Sequence, residues 1–135
     1  MPDSSAPVSA SRFAISIDGC EVGSFATLIA STSPEGEARS VQPHELAHVM
    51  QQRSSYRRLK WPPLELKRAV LDQTALKRMQ VPGSLPGVFV QHVDSAGRRS
   101  PQVAMPRVTF VESSSPVPKG TGQVALDMLF LATDV

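Results

Sequence analysis

Arg12-Phe13-Ala14-Ile15-Ser16-Ile17-Asp18-Gly19-Cys20-Glu21-Val22-Gly23-Ser24-Phe25 is the stretch on which the fold turns. Phe13, Ile15 and Ile17 alternate with Ala14 and Ser16, the period of two that sets apolar side chains on one face of a half-buried strand. Asp18-Gly19 follows directly. That pair suits the two positive φ values of a type I′ turn, so residues 21–29 are expected to return as the second strand of a β-hairpin.

Reading outward from the hairpin, residues 1–11 form a small, polar Ser/Pro/Ala arm, expected to be flexible. With no basic n-region and no apolar run, it does not read as a signal peptide. Residues 31–42 are rich in Ser, Thr, Pro, Gly and Glu without periodicity, which describes a loop or an irregular edge. Residues 43–52 fit either a short helix with Pro43 in its first turn or an extended segment, because a helix this short is marginal without tertiary packing. Trp61-Pro62-Pro63 blocks helix. Residues 64–70 then alternate Leu64 and Leu66 with Glu65 and Lys67 as a strand. Asp72 is placed to cap a short helix through Met79, which Pro82-Gly83 ends.

Farther on, Val88–Val93 reads as a strand, Asp94-Ser95-Ala96-Gly97 as a tight turn and residues 101–110 as the partner, in which Pro106 marks an edge or a bulge. Val124, Leu126, Met128 and Phe130 alternate with Ala125, Asp127 and Leu129, so a last strand has one strongly apolar face. The expectation is a mainly β fold: an antiparallel β-sandwich or barrel of about six or seven strands with one or two short helices. Residues 12–135 make its single domain.

Composition narrows the function classes. The chain has 135 residues, the size of one domain, and its 12 prolines with only 5% aromatics argue against a helical bundle. A formal charge of +2 is too weak a bias to imply nucleic-acid binding. The cations are unevenly placed. Arg53, Arg57, Arg58, Lys60, Lys67, Arg68, Lys77 and Arg78 face only Glu65 and Asp72 in residues 53–78, a local positive field. The one cysteine, Cys20, allows no intrachain disulfide and fits assembly in a reducing compartment. The apolar runs are too short to cross a bilayer as helices.

One motif carries chemistry. His44-Glu45-Leu46-Ala47-His48 matches H-E-x-x-H, in which a helix sets two histidines one turn apart as zinc ligands and the glutamate acts as general base on the bound water. With Val49-Met50-Gln51-Gln52 it resembles the His-Glu-Leu-x-His-Val-x-Gln-Gln signature of a group of zinc peptidases found with bacterial injection-system cargo. That resemblance spans about nine residues. It implies a zinc hydrolase with His44 and His48 as ligands, Glu45 as the catalytic base, and a third ligand for which Glu65 and His92 are the candidates. Glu65 sits in a strand-like alternation and His92 beside a hairpin turn, whereas such enzymes present the third ligand from a second helix. The competing reading makes His44 and His48 polar residues of a surface loop or short helix.

A second pattern runs nearly the whole length. Phe13 to Phe25 resembles the opening of the tail tube protein family of contractile phage tails and contractile injection systems, Phe-x-Val-x-Ile-Asp-Gly followed by Gly-x-Phe. Leu64-Glu65-Leu66-Lys67-Arg68 with the Asp72-led helix is similar to the family's Leu-x-Leu-Lys-Arg-Gly strand and short helix. Val88–Val93, the turn at Asp94 to Gly97, residues 103–110, the Pro116-Val117-Pro118-Lys119-Gly120 connection and Gln123 to Ala132 follow the family's order to its end. The family's acidic Glu-Tyr-Arg-Glu stretch is missing, and residues 33–55 stand in its place.

This resemblance implies a structural subunit with no catalytic residue and no cofactor, assembled in the bacterial cytoplasm into stacked, six-membered rings. Its partners would be further copies of itself, a contractile sheath, baseplate or tip proteins, and cargo in the lumen. A subunit that inserts in no membrane and reads no nucleic-acid sequence is what it describes. A tip or baseplate adaptor of the same fold, forming one ring and never a tube, is the third reading.

Overall fold

A computed structural model of the chain describes residues 11–55, 62–81, 87–105, 108–112 and 114–132. Ten strands share one antiparallel sheet: β1 Arg12–Ile17, β2 Cys20–Phe25, β3 Thr27–Ala30, β4 Arg39–Ser40, β5 Leu64–Asp72, β6 Val88–Val93, β7 Val103–Ala104, β8 Val108–Glu112, β9 Val117–Pro118 and β10 Gln123–Ala132. Two short helices, α1 Leu46–Ser55 and α2 Gln73–Met79, complete the set. The main path is β4-β3-β5-β2-β1-β6-β7, with β10 on β5 and both β8 and β9 on β10. This sheet curls into a half-barrel, the mainly β, antiparallel class that the alternation implied.

The opening hairpin forms as its residues require. Asp18 and Gly19 take φ of 51° and 90°, and β1 pairs with β2 from Phe13 opposite Phe25 to Ile17 opposite Cys20. The expected single return strand is two. It breaks at Ala26 into β2 and β3, and both halves pair with β5 in one continuous register, Gly23 with Leu71 and Ile29 with Glu65. The first half borders β1 and the second borders β4, so the bend lets one chain path serve two neighbours.

β5 keeps its apolar side inward by adding a residue. Leu64 and Leu66 are buried, and so are Ala69 and Leu71, a change of phase that a plain strand would turn outward. The shift falls at Arg68, which adopts φ of 56°, while the pairing with β10 slips between Leu126 and Met128. Asp127 sits opposite this β-bulge. Its Oδ1 accepts the Arg68 N–H at 2.9 Å, its Oδ2 lies 3.7 Å from Lys67 Nζ, and its own N–H donates to Ser114 Oγ at 2.8 Å.

Three other expectations are met in full, in part or not at all. Residues 43–52 are helical, a 3-10 turn over Pro43–Glu45 running into α1. Asp72 occupies the N-cap of α2, but its carboxylate makes no cap hydrogen bond, and the Gln73 N–H donates instead to Gly122 O at 2.8 Å. The partner expected for β6 over 101–110 divides: Val103 and Ala104 pair with it and the Met105 N–H donates to Val88 O at 2.9 Å, while β8 pairs with β10. Phe110 against Phe130, ring centroids 5.8 Å apart, gives β8 its apolar contact there. Residues 1–10, Trp61, Pro82-Gly83 and Pro106 lie outside the described residues.

One core joins all of this. Phe13, Ile15, Ile17 and Phe25 from the hairpin meet Leu64, Leu66 and Leu71 from β5 and Val124, Leu126, Met128 and Phe130 from β10. Leu46, Val49 and Met50 of α1 and Ala75, Leu76 and Met79 of α2 close against the same cluster. Each fully buried aliphatic or aromatic side chain contributes on the order of 1.5–3 kcal/mol. Among the described residues no helix is long and apolar enough to cross a membrane.

Candidate functional site

The H-E-L-A-H segment lies where the chain leaves β4 and enters α1. Gln42 is extended, with φ of −77° and ψ of 151°, and Pro43 takes the first helical position, where its missing N–H costs nothing. Leu46, Val49, Met50 and Arg53 turn inward, leaving His44, Ala47 and His48 exposed. Glu45 is held. Its Oε1 accepts the Gln42 N–H at 3.0 Å and Arg39 Nη1 at 2.9 Å, and its Oε2 accepts Arg39 Nη2 at 2.6 Å.

This is a helix cap reinforced by a guanidinium fork. Arg39 first, and then the Gln42 N–H, hold the Glu45 carboxyl down at about 2. A general base must reach a water and attract its proton. Both Glu45 oxygens are engaged here, Oε1 by the Gln42 N–H and Arg39 and Oε2 by Arg39, which makes the residue the cap of the helical turn. Glu45→Ala is expected to fray the start of α1 and lower the thermal midpoint slightly, with Glu45→Gln, which keeps an acceptor for the Gln42 N–H, falling between. Amide exchange at residues 45–47 reads the effect, and unchanged protection in the alanine variant would rule out the capping role.

The candidate third ligands are elsewhere. Glu65 is on β5, ion-paired with Lys67 at 2.9 Å. His92 is on β6, its ring edge-on to Phe13 with centroids 5.6 Å apart and its Nε2 against Ser11 Oγ. Among the described residues no three His, Cys, Asp or Glu side chains gather as a metal centre would need.

A different surface stands out on the outward side of the sheet. β10 directs Val124, Leu126, Met128 and Phe130 into the core, yet its outward phase is Ala125, Asp127, Leu129 and Leu131. Cross-strand pairing sets Val111 of β8 beside Leu129, and Val117 of β9 beside Ala125. Ile29 of β3 and Leu129 of β10 flank Glu65 from opposite sides. Val111 is 39% exposed, Leu131 41% and Val117 58%. Sequence reasoning credited the last strand with one apolar face. Leu129 and Leu131, in the other phase, were the available signal that the outward face carries apolar residues as well, beside the charged Asp127, Glu65 and Lys67.

No family model matches the chain, and neither does any curated protein or solved structure. The class that the fold defines is a mainly β, curled antiparallel half-barrel with two short helices against its core.

Proposed function

We propose that the chain is the repeating subunit of the inner tube of a contractile injection system or phage tail, closing into six-membered rings that stack into a conduit for cargo. The observation that carries this reading is the outward face of β8, β9 and β10. Leu131 of β10, with Val111 and Val117 on the neighbouring strands, forms an exposed apolar group that calls for a covering surface, and a further copy of the chain supplies one in a ring.

The half-barrel suits that use. An open curled sheet ends in short strands, β7 and β4 on the main path and β8 with β9 beyond β10, and a ring brings such ends of neighbouring copies together. A contact between unlike surfaces of two copies closes into a ring when its rotation permits, and head-to-tail stacking then extends the ring into a filament. The subunit's part is passive: a sheath drives the tube outward, a baseplate or tip completes it, and the lumen surface meets the cargo. Assembly takes place in the bacterial cytoplasm.

Negative-stain electron microscopy over a range of concentrations tests the reading. Rings or stacked tubes with a central hole are expected from the wild type, and folded monomers, with unchanged circular dichroism, from Val111→Glu/Leu131→Glu. Single rings that never stack would assign the chain to a tip or adaptor. A featureless monomer at every concentration would sink the proposal.

A further inference from the structure

Arg68 holds a left-handed backbone conformation that suits glycine, with φ of 56°. The bulge sets Lys67 and Arg68 side by side opposite Asp127, between buried Leu66 and Ala69, so both residues belong to the outward face. Lys67 lies 2.9 Å from Glu65 and 3.7 Å from Asp127. The exposed Arg68 guanidinium is different: among the described residues no carboxylate lies against it, and Asp127 takes only its backbone N–H. Strain kept for a side chain that its own fold does not engage points to a use outside that fold. Arg68 also sits in the middle of the outward face, between the Val117–Ala125 row and the Val111–Leu129 row.

A guanidinium fork matches a carboxylate. Among the described side chains, Glu35, Glu37 and Asp72 are the exposed carboxylates that no cation holds. Asp72 ends the strand that carries Arg68, so a contact between these two would set like surfaces together and stop at a two-fold dimer. Glu35 and Glu37 lie in the loop between β3 and β4, which leaves the sheet beyond Leu64, away from Arg68 of its own chain. That loop is preorganised. Buried Ser31 donates through Oγ to Gly36 O at 2.9 Å, and the Gly36 N–H donates to Ser33 O at 3.1 Å. We infer that the copy covering the outward face docks through this loop, its Glu35 and Glu37 carboxylates accepting hydrogen bonds from Arg68. This contact rests on the tube reading and gives it the segment that does the covering. The two surfaces are unlike, as a contact that closes a ring or extends a stack requires.

Light scattering and negative-stain microscopy across a concentration series test the contact on the full chain. Arg68→Gly relieves the backbone, so its thermal midpoint should equal or exceed that of the wild type, while the concentration needed for rings rises about tenfold or more. A residue that served only the fold would move both in the same direction. Arg68→Glu and Glu35→Lys/Glu37→Lys should each stay monomeric with unchanged circular dichroism, and combining them should restore rings by exchanging the two charges.

Wild-type rings with Arg68→Gly assembling at the same concentration would overturn the Arg68 contact and leave the tube standing. Failure of the combined variant to assemble better than either parent would overturn the loop as the docking segment. A wild type that stays monomeric at every concentration would overturn the tube and this contact together.

Discussion

Gly23→Ala is expected to cost ~3 kcal/mol or more of folding stability, because the added methyl group meets backbone that cannot move aside. β2 crosses β5 so closely at this point that a Cβ on Gly23 would lie 2.2 Å from Val70 O, 2.7 Å from Leu71 Cδ2 and 3.0 Å from Leu71 Cα. Two of the three obstacles belong to backbone, which no rotamer change removes. Moving β5 away would open the Gly23–Leu71 and Ser24–Val70 pairs and shift Leu71, a fully buried side chain, out of the core. β1 sits on the other edge of β2, with Ile15 opposite Gly23, so retreat that way strains a second ladder.

Gly19→Ala is the control. Gly19 has φ of 90° but nothing within 4 Å of an added Cβ, so its substitution carries backbone strain alone, about 1–2 kcal/mol. Urea unfolding of both variants separates clash from strain. If Gly23→Ala loses no more than Gly19→Ala, the close crossing of β2 and β5 is wrong.

The hairpin that contains Gly23 was readable in the sequence because its determinants are local. Alternation through Phe13, Ile15 and Ile17 needs no knowledge of a partner, and Asp18-Gly19 names its own turn. The bulge at Arg68 was not readable, because its cause is Asp127, 59 residues away, whose carboxylate takes the Arg68 N–H. For the same reason alternation identified β8 as a strand but gave it the wrong neighbour: it says which side faces inward and nothing about which edge is met. Adjacency to β6 through a turn favoured β6, while the Phe110–Phe130 contact places β8 on β10.

The H-E-L-A-H segment shows the same limit at a candidate site. Its residues left a short helix and an extended segment both open, and the structure makes it helical with both histidines exposed; the pattern also allowed a zinc hydrolase. What Glu45 does depends on Arg39, which belongs to β4 and had no sequence signature as its partner. A short motif specifies donors and their spacing, and only the surrounding fold says whether those donors are available.

The second large effect is expected at Arg53, where Arg53→Ala should cost about 3–5 kcal/mol and Arg53→Met about 1–2 kcal/mol. Arg53 is 3% exposed, among the inward residues of α1, a position that helical periodicity would give to an aliphatic side chain. Its Nη2 donates to Pro62 O at 2.7 Å and its Nη1 to Ser31 O at 3.4 Å. Ser31 follows β3 and Pro62 precedes β5, so one guanidinium ties α1 to the approaches of two strands. Burial pushes this group down to about 10, which leaves it a cation at neutral pH and makes its enclosure a cost that the two carbonyls help to offset. Alanine removes the stem, opens a cavity beside Met50 and leaves both carbonyls without this donor. Methionine fills most of the stem's volume and relieves the cost of the buried charge, so its loss is that of the guanidinium's polar contacts, and the two substitutions separate packing from hydrogen bonding. Hydrogen exchange should show the alanine variant opening α1 locally before the sheet unfolds, since β1, β5 and β10 keep their own pairing without it. Equal loss in both variants would mean that the carbonyl contacts dominate, and a wild-type midpoint for Arg53→Ala would mean that α1 is not anchored through this side chain at all.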